Sequence, residues 1–115
     1  MPQHVLPQVL TERCTDDAVL LSLLLPAAAP CFDGHFPGFP VLPGVVQIHW
    51  AMLFAQAKLG VAGTFQSLEQ IKFTDIVEPG AGLTLHLMWD ADRRRLSFDY
   101  RADGRKASSG RIQLG

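Results

Sequence analysis

The sequence predicts an α+β fold in which one antiparallel sheet wraps around one long buried helix. Three observations predict it. From Val45 to Leu59 there is neither proline nor glycine, and Val, Ile, Trp, Ala, Met, Leu and Phe stand on nearly every face; a helix apolar all round is a buried helix. Leu83, Leu85, Leu87 and Trp89 alternate with Thr84, His86 and Met88, and residues 96–100 alternate likewise, which is the period of strands with one face in a core. The order is strands, the helix, then an antiparallel meander, so the sheet has one helix to bury and the helix needs no polar side.

Val5 to Arg13 reads as the first strand, Thr15-Asp16-Asp17 as a turn and Val19 to Leu25 as a buried strand. That second run, with Pro26-Ala27-Ala28-Ala29 after it, resembles the core of a secretory signal. Its flank argues otherwise, because Asp16 and Asp17 precede it where positive charge belongs, and so short a run cannot span a bilayer. Pro26 to Pro30 forms the connection. In the next stretch Pro37, Pro40 and Pro43 each remove a backbone donor and fix φ, so a stiff irregular loop leads into the helix. Glycines at Gly60 and Gly63 end the helix. Thr64 to Phe73 is the next strand, Glu78-Pro79-Gly80 a turn, and Asp90 to Arg94 a charged hairpin turn. Asp103-Gly104 signals a tight hairpin before the last strand, Lys106 to Leu114.

The length suits a single domain, 1–115. A formal net charge of −1 gives no basic excess for nucleic acid or an anionic membrane. Cys14 and Cys31 follow no metal-ligand spacing, so free thiols in a reducing cytoplasm are expected, with no metal site and no cofactor.

The junction of loop and helix carries chemical meaning. A helix N-terminus presents unpaired N–H groups and a partial positive charge, which would polarise a carbonyl oxygen as an oxyanion hole does. A histidine held nearby, here His35, would serve as general base near neutral pH. The plain alternative is a tight turn before a core helix, with His35 a hydrogen-bonded loop residue.

Gly34-His35-Phe36-Pro37-Gly38, Pro40, Leu42-Pro43-Gly44-Val45 and then Ala51-Met52 resemble the β-hydroxyacyl-(acyl-carrier-protein) dehydratases of the hot-dog fold, whose signature is G-H-F-P-G-x-P-x-x-P-G-V. Ile71-Lys72-Phe73 with Val77-Glu78-Pro79-Gly80 resembles that family's K-F-x-x-x-V-x-P-G strand and turn. The resemblance runs from about Val5 to the end, and the helix context looks most like the small dehydratases of aryl-polyene-type pathways. It implies dehydration of β-hydroxyacyl-acyl-carrier-protein thioesters to trans-2-enoyl thioesters in fatty-acid or polyene-type biosynthesis. By resemblance His35 is the base, the backbone N–H of Gly44 or Val45 binds the thioester carbonyl, and the active site lies at a dimer interface. The implied partners are an acyl carrier protein with its acyl-phosphopantetheine, and a second subunit in a homodimer, a higher homo-oligomer or a heterodimer with a related chain. The apolar Phe36, Phe39, Val41 and Leu42 also favour an interface.

One departure matters. The family's acidic helix residue falls on His49. An imidazolium is a competent proton donor near working pH, so His49 is a candidate acid; the alternative is a structural histidine in a chain that has lost activity. Asp33 and Glu69 are weaker substitutes. Phe36, Trp50 and Phe54 are candidates for lining an acyl tunnel, with plain core the alternative for the two helix residues. Arg93-Arg94-Arg95 would attract an acidic carrier or form a solvated tip. Two other functions fit the same fold: an acyl-thioester hydrolase, and a non-catalytic acyl-binding subunit of a hetero-oligomeric dehydratase.

Overall fold

Helix α1 spans Gly44–Leu59. Pro43 precedes it as N-cap with φ −63° and ψ 146°, and Gly60 closes it in the left-handed conformation at φ 64°, its N–H donating to the Ala55 carbonyl. A proline with no N–H to lose and a glycine with no Cβ to strain suit these two ends. The molecule is a computed structural model that describes residues 6–25, 42–78 and 80–115. Val5, Pro26–Pro30, the loop residues Cys31, Asp33, His35, Phe36, Phe39 and Val41, and Pro79 lie outside the described residues.

Six strands accompany the helix: β1 (Gln8–Cys14), β2 (Ala18–Leu24), β3 (Phe65–Phe73), β4 (Gly82–Asp90), β5 (Arg95–Ala102) and β6 (Arg105–Leu114). All pairings are antiparallel, in the order β1-β2-β4-β5-β6-β3. β1 starts later than expected, just after Pro7, which cannot donate to the ladder. The β5–β6 hairpin turns on Asp103 and Gly104, with φ of 52° and 82°, the left-handed pair a two-residue hairpin needs. Asp103 further accepts the Gly82 N–H on Oδ1 at 2.9 Å, tying the turn to β4.

Two expectations are corrected and a third is sharpened. First, β4, β5 and β6 form a meander, but β3 does not open it. After α1 carries the chain across the sheet, β3 pairs with β6 at the far edge. Second, the helix is not coated all round. Val46, Gln47, Trp50, Ala51, Phe54 and Ala55 are buried against the inward residues of the sheet, such as Leu21, Leu85 and Tyr100. Val45 is 72% exposed, and His49, Met52 and Leu53 are half-buried. Third, the arginine run is a solvated tip whose side chains are nevertheless tied down: Arg93 and Arg94 are exposed and Arg95 half-buried. Arg93 donates to the Asp90 carboxylate at 3.1 Å, Arg94 to the Ala62 carbonyl at 2.8 Å, and Arg95 to Gln113 Oε1 at 3.3 Å. The turn itself is residues 91–94, with Asp90 ending β4. Among the described residues, no helix is long and apolar enough to cross a membrane.

Candidate active site at the helix start

The first backbone donors held inside the helix are Val46 and Gln47, whose N–H groups both reach the Pro43 carbonyl at 3.1 Å. The N–H groups of Gly44 and Val45 come before them and have no acceptor within the helix. Among the described residues no side chain caps this end, and its first turn carries no acid. Two donors and the positive end of the dipole are therefore presented together. Val45, the residue that carries the second of them, is largely exposed.

Gly44 is glycine for a steric reason. The Phe73 ring, at the end of β3, lies so close that a Cβ on Gly44 would stand 2.5 Å from its Cζ. A side chain at this position would push the ring aside. Phe73 is itself 54% exposed, so its ring forms one wall beside the helix start.

His49 is half-buried and lies one turn after Val45 on the open side of α1. Residues four apart on a helix have Cβ atoms roughly 5–6 Å apart, so the His49 and Val45 side chains are neighbours on one face. Gly44, Val45 and His49 all lie within the first two turns of α1. His35 and Phe36 lie outside the described residues. Trp50 and Phe54 are core residues on the closed side, and the Trp50 indole N–H is buried without an acceptor among the described residues. Glu69 sits on β3 within 3.9 Å of Arg95, which fits a structural carboxylate.

A polar cluster behind the helix start escapes a reading of the sequence. Gln47 is 3% exposed among apolar neighbours. Its amide Nε2 donates to the Leu42 carbonyl at 3.1 Å, and its Oε1 accepts from Ser108 Oγ at 2.6 Å. Its backbone carbonyl accepts from the Tyr100 hydroxyl at 2.7 Å. Burial raises the Tyr100 pKa well above its ordinary value, so the phenol keeps its proton and donates. The Leu42 N–H in turn donates to the Val77 carbonyl at 2.7 Å. The signal is one amide in the otherwise apolar first turn of the helix, three residues after the proline-glycine start.

The family model described as ApeI-like, ApeI dehydratase, matches residues 11–111. A 3-hydroxyacyl-(acyl-carrier-protein) dehydratase, FabZ, from Novosphingobium aromaticivorans is 42% identical over 74 residues, 56% of this chain and 47% of that protein. The chain spans about half the length of the curated relatives it matches. A chain of the dehydratase heterocomplex ApeI:P from Xenorhabdus doucetiae superposes with a TM-score of 0.89 at 36% identity, over 96% of this chain and 98% of its own. An uncharacterized protein from Erwinia carotovora subsp. atroseptica superposes with a TM-score of 0.82 at 38% identity, over 96% and 97%. The sheet wrapped on one helix is the hot-dog fold.

Proposed function

Because this chain belongs to the ApeI-like dehydratase family, we propose that it removes water from β-hydroxyacyl thioesters borne by an acyl carrier protein, giving trans-2-enoyl thioesters in fatty-acid or polyene-type biosynthesis. The observation that carries this reading is the uncapped helix start, with two N–H groups and His49 within the first two turns. In the reaction, the Gly44 or Val45 N–H binds the thioester carbonyl. His35 takes the α-proton, and the electron pair of that C–H bond flows toward the carbonyl oxygen. Collapse of this enolate forms the Cα–Cβ double bond and breaks the Cβ–O bond. His49, as imidazolium, gives the departing hydroxyl its proton, so water leaves. Donors aimed at the developing oxyanion are worth a factor of about 10²–10³ each. These proton transfers need neither metal nor organic cofactor.

The site is completed by a second subunit in this proposal. β3 is a sheet edge, and Phe65, Leu68, Phe73 and Ile76 are exposed along and just beyond it. An apolar edge strand of this kind supports pairing with another chain. His35 of one subunit would then face His49 of the other. We assign the reaction to the cytoplasm, where the carrier-borne substrate is made.

Two observations favour a second reading. The family's acid position is His49 here, and one similar chain belongs to a dehydratase heterocomplex. In that reading the chain is one subunit of a mixed dimer, and a related subunit supplies a carboxylate opposite His35.

Incubation of the purified protein, alone and with such a subunit, with β-hydroxyacyl and saturated acyl thioesters on a carrier protein separates these readings. The proposal expects enoyl thioester from the hydroxyacyl substrate. Enoyl product only with the related subunit favours the mixed dimer. Free acid from the saturated substrate would make the protein a hydrolase, and no product in any combination would leave a binding role.

A further inference from the structure

We propose that Gln47, anchored by Ser108 and Tyr100, is a positioning residue that aims the Gly44 N–H at the substrate carbonyl; this rests on the dehydratase reading above.

Gln47 stands where an apolar side chain would pack with Val46, Trp50 and Ala51. Gln47 Oε1 and Ser108 could be replaced together by apolar groups of the same shape at little cost, but the buried Leu42 carbonyl would then lose its donor. The amide is needed for that carbonyl. What distinguishes the amide is what it grips. Its side chain holds the Leu42 carbonyl, while the backbone N–H groups of Val46 and Gln47 hold the Pro43 carbonyl, as residues of any type would. Those carbonyls belong to two successive peptide units, the second of which carries the Gly44 N–H.

The covalent geometry makes that grip effective. The Leu42–Pro43 peptide is planar, and the proline ring locks φ of Pro43, at −63°. One soft torsion, ψ of Pro43, separates the gripped Leu42 carbonyl from the peptide unit that contains the Gly44 N–H. The Pro43 carbonyl belongs to that same unit and is held by the helix backbone from the other side. The Gln47 side chain and the helix backbone thus fix the donor's peptide plane from both ends. Gln47 is itself immobilised, through Oε1 by Ser108 on β6 and through its carbonyl by Tyr100 on β5. The direction of the Gly44 donor is referred to the rigid centre of the sheet rather than to the loop before it.

The test uses the double variant Gln47→Leu with Ser108→Ala, which removes both side-chain partners together and releases the Leu42 carbonyl, with the related subunit present if activity requires it. A conjugated 2,4-dienoyl thioester supplies the readout, because its absorption moves to longer wavelength when its carbonyl is polarised. Wild type is expected to show that shift. The double variant is expected to lose at least half of it, and kcat is expected to fall about 10–100-fold, less than outright loss of an oxyanion donor, with KM within about threefold. A double variant that folds and keeps both the shift and kcat overturns the proposal and leaves Gln47 as core filling. If wild type itself shows no shift, the carbonyl site is wrong, and the proposal falls with it for that separate reason. Should the double variant not fold, Tyr100→Phe, which keeps the ring and deletes the donor, must give a smaller loss of shift; an unchanged shift there also overturns the proposal.

Discussion

The two sides of α1 are nearly alike in composition and opposite in fate. On the closed side Val46, Trp50 and Phe54 fill the core of their own sheet. On the open side Val45, Met52 and Leu53 are equally apolar, yet Val45 is mostly exposed and the others are half-buried. The closed side holds the fold together. The open side is where the helix start, His49 and the exposed edge of β3 gather. Hydrophobicity by itself does not say whether a residue is buried by its own chain or reserved for a partner.

Substitutions on the two sides sharpen this contrast. Phe54→Ala removes a large side chain from the core and should cost about 3–5 kcal/mol, read by denaturant unfolding. Val45→Ala should cost under about 0.5 kcal/mol by the same measurement. Equal costs would erase the distinction between the sides. His49→Ala should lower kcat for dehydration about 10²–10⁴-fold, the usual worth of a general acid. Full activity in that variant would remove His49 from the proton path, and increased activity in His49→Glu would identify the position as the place for an acid.

The next effect is steric. Gly44→Ala drives a Cβ into the Phe73 ring and should cost about 1–3 kcal/mol, as overpacking does. Adding Phe73→Ala to that variant should recover part of the loss, because the two changes share one contact. Strict additivity in the double-mutant cycle would mean the ring is not the obstacle.

The smaller effects appear at the extremes of pH. Tyr100 is the chain's single tyrosine, so phenolate absorbance reports it alone. Its folded pKa is raised by burial, so its contribution is full below the unfolded value near 10 and is lost as pH rises toward the folded one. Phenolate absorbance should appear together with unfolding, not before it. At the acid end the Lys58 side-chain bond to Glu12, 2.8 Å long, holds the Glu12 carboxyl below its ordinary value of 4.5. That contribution is present above the ordinary value and is lost as pH falls through the folded one. Lys58→Met should flatten the acid side of a melting profile slightly, since the pair is exposed.

Much of this arrangement is legible in residue order. The helix ends are written in Pro43 and Gly60, the last hairpin in Asp103-Gly104, and the inward faces of β4 and β5 in strict alternation. Three features are not legible, each for a physical reason. Strand order after a crossover depends on where α1 sets the chain down, so β3 at the edge beside β6 has no local signal. The arginine run reads as surface charge because pattern does not reveal that Arg94 reaches a carbonyl 32 residues earlier. The Gln47 cluster joins residues up to 61 positions apart, and only the isolated amide hints at it. At the site, Gly44, Val45 and His49 could be placed from the proline-glycine start and the helical period, whereas the Phe73 ring over Gly44 could not.

In the proposed dehydratase the open side of α1 works only when a second subunit covers it. The direct measurement is a dilution series in which dehydration rate and molecular mass by sedimentation are read on the same samples. Specific activity should fall at the concentration where the assembly dissociates, with coincident midpoints. Undiminished turnover by the monomer would contradict it.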